Sequence, residues 1–173
     1  MDIKLSILID DKPGPDLLNE HGLSIFIEHN DTKLLFDTGQ SSCFAENAIR
    51  MGIDLASADC CLISHGHYDH GGGLPAFFQK NKSATVYMHE KASKAIYYST
   101  KRKGEPRYIG IPQNVFQEQP ERFTYINSPL LISPSIQIFP CLDMEERGPI
   151  FEDKSLFLMT EDKNMEETFD HEV

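Results

Sequence analysis

The feature that most limits the fold is a short apolar run, Asp59-Cys60-Cys61-Leu62-Ile63-Ser64. It passes without a spacer into His65-Gly66-His67-Tyr68-Asp69-His70-Gly71-Gly72-Gly73. An apolar run over 59–64 is the pattern of a strand buried on both faces, and such strands belong to sheets covered by other layers. Three histidines and a carboxylate within six residues at the end of that strand point to metal. Imidazole nitrogen and carboxylate oxygen suit zinc, iron and manganese. His65 and His67, two apart in extended backbone, face the same way and can grip one ion. Asp69 and His70 follow on a turned backbone and can face a second. Paired ions about 3.5–4 Å apart polarise a substrate oxygen and activate a bridging water near neutral pH. Gly66 and the triple glycine 71–73 are expected to give backbone freedom and leave space above the ions. A surface cluster of histidines in a Gly-rich loop is the competing reading. It leaves unexplained why four ligand-type side chains directly follow a buried strand, where α/β sheets tend to place their sites. A purely structural zinc site usually relies on thiolates, which this motif lacks.

The rest of the chain supplies layers for that strand. Strands are expected over 3–9, 23–28, 33–36, 84–88, 122–126, 130–132, 136–139 and 155–160. Helices are expected over 41–51, 74–80 and 90–98, the first with Ser41 or Ser42 as N-cap and Gly52 as C-cap. Pro13-Gly14-Pro15 makes 10–21 a loop, and Asn30-Asp31 is turn chemistry for a hairpin. Gly104, Pro106, Gly110 and Pro112 make 101–114 loop-like, and the polar stretch 161–173 reads as frayed. Strands followed by helices, mixed with hairpins, indicate one α/β layered domain over 1–173.

Charge and cysteine content narrow the function. With 27 acids against 16 bases, the net charge of −11 repels polyanions, so no nucleic-acid partner is expected. No run approaches the ~20 apolar residues of a membrane span. The N-terminus alternates polar and apolar residues unlike a secretory signal, so the default compartment is the cytoplasm. Cys43, Cys60, Cys61 and Cys141 show no C-x-x-C spacing and read as buried free thiols. On a strand, Cys60 and Cys61 would point to opposite faces. There is no P-loop, dinucleotide fingerprint or serine nucleophile elbow.

H-x-H-x-D-H after a strand, with Phe36-Asp37-Thr38-Gly39 upstream, resembles the metallo-β-lactamase superfamily. Further stretches are similar to one subgroup. They are Pro13-Gly14-Pro15 with Glu20-His21-Gly22-Leu23-Ser24, Leu35 to Gln40, Leu62 to His70, and, more weakly, Tyr108-Ile109-Gly110-Ile111-Pro112. That subgroup holds metal-dependent hydrolase-like proteins, including the archaeal-type 7,8-dihydropterin-6-yl-methyl-4-(β-D-ribofuranosyl)aminobenzene 5′-phosphate synthase. The resemblance implies an αββα sandwich, α/β (α+β) in class, with metals at one edge between two sheets. It implies two divalent ions, zinc first and iron or manganese as alternatives. His65 and His67 would bind one ion, and Asp69 and His70 the other. Asp69, with the activated water, would carry the chemistry. Asp37 would lie beneath and orient the ligand loop by hydrogen bonds. The superfamily takes further ligands from its C-terminal half, where the subgroup has a Gly-Cys-Ser-His-like turn. This chain has no such turn, so the resemblance implies the N-terminal two-thirds of the fold, truncated after Phe169-Asp170-His171-Glu172-Val173. His171, His89 or Asp143 could substitute as ligands, with water filling the gap.

Other residues are secondary candidates. His89, after a strand, is either a substrate contact at the rim or a helix-entry residue. His21 is a similar rim candidate. Lys101-Arg102-Lys103 with Arg107 could hold a phosphate or carboxylate, against the reading of a solvated basic turn. The expected function is a metal-dependent hydrolase-like enzyme acting on a small, anionic molecule. An incomplete fragment or split subunit needing a second chain is the alternative, with self-association through an exposed sheet face. A superfamily nuclease is a weaker alternative that the net charge opposes.

Overall fold

In the computed structural model the described residues are 2–12, 14–101, 105–140, 153–159, 164–169 and 171–173. Strands β1 (Ile3–Ile9), β2 (Ser24–His29) and β3 (Thr32–Phe36) form an antiparallel meander. Asn30 takes a left-handed φ of 51° in the tight turn between β2 and β3, a conformation that asparagine tolerates. From β3 the sheet continues in parallel through β4 (Cys60–Leu62), β5 (Thr85–His89) and β8 (Phe123–Ile126). The crossovers carry α1 (Cys43–Arg50) and α3 (Leu74–Lys80). The strand order β1-β2-β3-β4-β5-β8 places β4, and the motif that follows it, inside the sheet.

Alternation along β3 and β4 divides two cores. Leu35, Cys61, Val86 and Met88 pack with Phe44, Ala48, Leu74 and Phe77 of α1 and α3. Leu34, Cys60 and Leu62 face the other way and meet Ile126 and Ile138. The paired cysteines thus do face opposite sides. Burial pushes the Cys60 thiol up to about 11 and the Cys61 thiol well above its ordinary value. Cys43, Cys60 and Cys61 are free thiols, and Cys141 lies outside the described residues.

Two further sheets are β9 (Leu130–Ser133) with β10 (Ile136–Ile138), whose Leu130, Ile132 and Ile138 pack on the second core, and a four-stranded sheet. That sheet orders β12 (Asn164–Glu166), β11 (Leu156–Met159), β6 (Ile96–Ser99) and β7 (Arg107–Tyr108). Here the structure departs from local expectation. The helix expected over 90–98 stops as α4 (Glu90–Lys94), and Ile96-Tyr97-Tyr98-Ser99 turns into β6. Its β-branched and aromatic residues pair antiparallel with β11, some sixty positions away, and that distant ladder overrides a local helical reading. The stretch 101–114 gains β7, and α5 (Asn114–Glu118) follows it. The segment expected to fray instead contains β12 and two buried side chains, Glu167 and His171. No helix among the described residues is long and apolar enough to cross a membrane.

Candidate metal centre

The motif leaves β4 and is fixed from both sides. On one side, the Thr38 amide and hydroxyl both donate to the His70 carbonyl, at 2.7 and 3.0 Å. On the other, the Tyr68 amide donates to the Ile109 carbonyl at 2.7 Å, and the Ile111 amide to the Gly66 carbonyl at 3.2 Å. His67, in extended backbone, is the N-cap of a single turn, α2 (Tyr68–Gly71). The triple glycine does not open space above the motif side chains. A Cβ on Gly72 would lie 2.5 Å from the Gln40 carbonyl oxygen, and one on Gly73 2.3 Å from that of Thr38. These glycines let the motif press against the 37–41 loop. Gly22 serves the same end: at φ +127° a Cβ there would lie 2.0 Å from the Asp69 carbonyl oxygen.

Asp37 sits beneath the motif histidines with no solvent exposure, at a φ of 56°. Its Oδ1 accepts from the Ser64 amide at 2.7 Å, and its Oδ2 accepts from the Ser64 hydroxyl and from His70 Nδ1, each at 2.7 Å. With Nδ1 committed to Asp37, His70 presents Nε2 outward. The Ser64 hydroxyl lies 3.0 Å from His65 Nδ1, so the same carboxylate reaches His65 through one serine. Burial pushes the Asp37 carboxyl up, only partly offset by the hydrogen bond from His70. Burial disfavours charge on His70, but the Asp37 hydrogen bond together with the negative charges of Asp37, Asp69 and Glu172 outweighs it and raises that ring. Burial, then the neighbouring imidazoles His70, His67 and His171, hold His65 well below its ordinary value. A neutral imidazole is the form that offers a lone pair.

Two groups of donor atoms result. His65, Asp69 and His70 bring theirs within 4.8 Å of one another, and so do His67, Glu167 and His171. The pairing implied by the resemblance, His65 with His67 and Asp69 with His70, differs from this grouping. The two groups adjoin, with the His65 and His67 ring centroids 4.8 Å apart. Nitrogen and oxygen donors in this number fit a divalent ion of the zinc type.

Glu167 escaped the sequence reading. Its only signal was an acid four residues before His171 in a polar stretch, and nothing local announces burial. Each of these side chains is 1% exposed. Glu167 Oε1 and Oε2 lie 2.8 and 3.0 Å from His67 Nε2, and Oε1 lies 2.8 Å from His171 Nε2. Burial opposes the Glu167 charge, yet the hydrogen bonds from His171 and His67 keep its carboxyl below the ordinary range.

A cavity of about 340 Å³ opens beside the motif, lined in part by His21, His67, Asp69, Lys101, Arg107 and Tyr108. His21 Nε2 is 3.3 Å from Asp69 Oδ2, and its Nδ1 is 2.9 Å from Asp11 Oδ1. Lys101 Nζ pairs with Asp153 Oδ2 at 2.7 Å. Arg107 is exposed at the rim. His89 takes its other expected place: its buried ring caps α4, with Nδ1 accepting from the Lys91 amide at 3.1 Å, and it does not line this cavity. Arg102, Lys103 and Asp143 lie outside the described residues.

Known proteins resemble this chain in sequence and fold. The chain is 27% identical over 162 residues to 7,8-dihydropterin-6-methyl-4-(β-D-ribofuranosyl)-aminobenzene-5′-phosphate synthase of Methanocaldococcus jannaschii, covering 84% of this chain and 52% of that protein. It is 32% identical over 112 residues to an uncharacterized protein of the same organism, covering 64% and 41%. The chain therefore spans about half the length of these curated relatives. The crystal structure of a metal-dependent hydrolase of the β-lactamase superfamily matches with a TM-score of 0.76 and 28% identity, over 99% of this chain and 59% of that one. A quorum-quenching N-acyl homoserine lactone lactonase, 17% identical with a TM-score of 0.50 over 82% of this chain and 57% of that one, shares the fold. The family model described as the metallo-beta-lactamase superfamily matches residues 19–149, and the chain belongs to that superfamily.

Proposed function

We propose that this chain is a metal-dependent hydrolase with a two-ion centre, zinc in first place, acting on a small anionic molecule. The observation that carries the reading is the convergence of His65, Asp69 and His70 donor atoms within 4.8 Å, with His67 adjoining them. These four side chains would hold the ions, and Asp37 would orient His70 directly and His65 through Ser64. Divalent ions there would supply Lewis acidity, which would polarise a substrate oxygen and let water ionise to the attacking hydroxide near neutral pH. Asp69 lines the cavity, and its Oδ2, next to His21, would hold a proton. His21 Nε2, 3.3 Å away, can pass it toward Asp11 at the surface.

Arg107 and Lys101 line the same cavity and suit a phosphate or carboxylate group on the substrate. The archaeal relative's name carries a 5′-phosphate, which agrees with that charge. The decisive experiment is metal analysis of gently purified protein after addition of zinc. About two ions per chain are expected, and alanine at His65 or His70 should abolish binding at one of them. Metal content near zero would sink the reading. A second reading, a site completed only by another chain, is favoured by one observation: Ile3, Leu5 and Ile7 of β1 are exposed along one sheet face. Turnover per chain that rises with protein concentration would select it.

A further inference from the structure

We infer that Glu167 is a positioning residue: its carboxylate accepts a hydrogen bond from His67 Nε2–H, which keeps the proton there and leaves Nδ1 as the nitrogen that offers a lone pair to an ion. The inference rests on the metal-dependent reading of the site. An ionised carboxylate only accepts, so the contacts of 2.8 and 3.0 Å place the proton on His67 Nε2. A neutral imidazole carries one proton and one lone pair, so that lone pair is on Nδ1. Among the described residues no hydrogen bond engages His67 Nδ1. Asp37 does the same for His70 from the other side of the motif, at 2.7 Å, with the two ring nitrogens exchanged. The centre then has two histidines, each oriented by its own buried carboxylate.

The competing assignment makes Glu167 and His171 ligands themselves, since their donor atoms lie within 4.8 Å of His67. The hydrogen bonding of His171 opposes it. The Gly66 amide donates to His171 Nδ1 at 3.0 Å, which uses the ring's one lone pair. Nε2 therefore carries the proton and donates to Glu167 Oε1 at 2.8 Å. Binding an ion through His171 would require releasing the buried Gly66 amide, which has no other partner there. His171 is a relay that ties the motif backbone to the Glu167 carboxylate. The backbone supports this placement. Glu167 directly follows β12, its amide donates to the Leu156 carbonyl, and the Val173 amide returns to the Ser64 carbonyl at 2.9 Å. The Phe169 ring lies between these anchors, 5.4 Å from that of His67.

The test uses the full chain with Glu167→Ala and Glu167→Gln, loaded with zinc and separately with cobalt(II). Competition against a chromophoric chelator reads affinity, the visible cobalt spectrum reads coordination, and long-range nitrogen–proton NMR reads the His67 tautomer. Glu167→Ala is expected to weaken metal binding about 10- to 100-fold. Glu167→Gln, whose amide oxygen still accepts from Nε2, is expected to recover most of that loss with an unchanged cobalt spectrum. A cobalt spectrum altered in Glu167→Gln would make Glu167 a ligand and overturn the inference. A wild-type His67 protonated at Nδ1 would overturn it as well. If the wild type binds no metal, the metal-dependent reading fails by itself. The tautomer in metal-free protein still decides here: a proton on Nε2 supports the inference and one on Nδ1 overturns it.

Discussion

Asp37 spends one carboxylate on three donors: the Ser64 amide, the Ser64 hydroxyl and His70 Nδ1. Burial makes each bond count, because a buried acceptor has no water to fall back on. Asp37→Asn keeps the shape but puts an amide donor against groups that also donate. The expected result is intact far-ultraviolet circular dichroism with metal affinity reduced about 10- to 100-fold, read by chelator competition. Asp37 could be anticipated from its place in Phe36-Asp37-Thr38-Gly39. Glu167 could not, because its burial depends on where β12 lies, and no residue near it in sequence records that.

At the scale of elements, long connections are held by buried polar side chains. Asn47, in the middle of α1 and fully buried, donates to the carbonyls of Leu8 and Leu18 at 2.7 and 2.8 Å and accepts from the Leu18 amide at 2.9 Å. It pins the proline-containing loop before β2 to the helix. Asn47→Ala would leave those groups without partners, and urea denaturation should show a loss of about 2–3 kcal/mol. The N-terminal approach to α1 is satisfied from a distance as well. Glu20 Oε1 accepts from the amides of Gln40 and Ser41, each at 3.0 Å, while Ser42 at the cap makes no side-chain cap bond. The position of α1 was legible from its periodicity and Gly52. That Glu20 serves its N-terminal side was not, because the two segments meet only after β2 and β3 fold between them.

For the whole molecule, the two faces of the main sheet differ in cover. The helical side is closed by α1 and α3, while the β1 end of the other side exposes Ile3, Leu5 and Ile7, at 62%, 61% and 52%. A contiguous apolar stripe on an edge strand favours association. Wild-type protein is expected to associate with rising concentration in sedimentation velocity. Leu5→Lys should reduce that association and change the unfolding free energy by no more than about 0.5 kcal/mol. An unchanged sedimentation profile would remove this stripe as the contact.

What the sequence determined by itself was whatever is encoded locally. The buried β4, the histidine-rich loop after it, the β2–β3 turn and the α1 and α3 helices all follow from periodicity, turn chemistry and residue spacing within a dozen residues. Tertiary structure alone decided that Ile96–Ser99 is a strand, that Arg107 reaches the cavity and His89 does not, and that Glu167 and His171 lie against His67. Each of these depends on contact between segments tens of residues apart. Burial and hydrogen-bond partners then come from the other segment, and no local pattern can specify them.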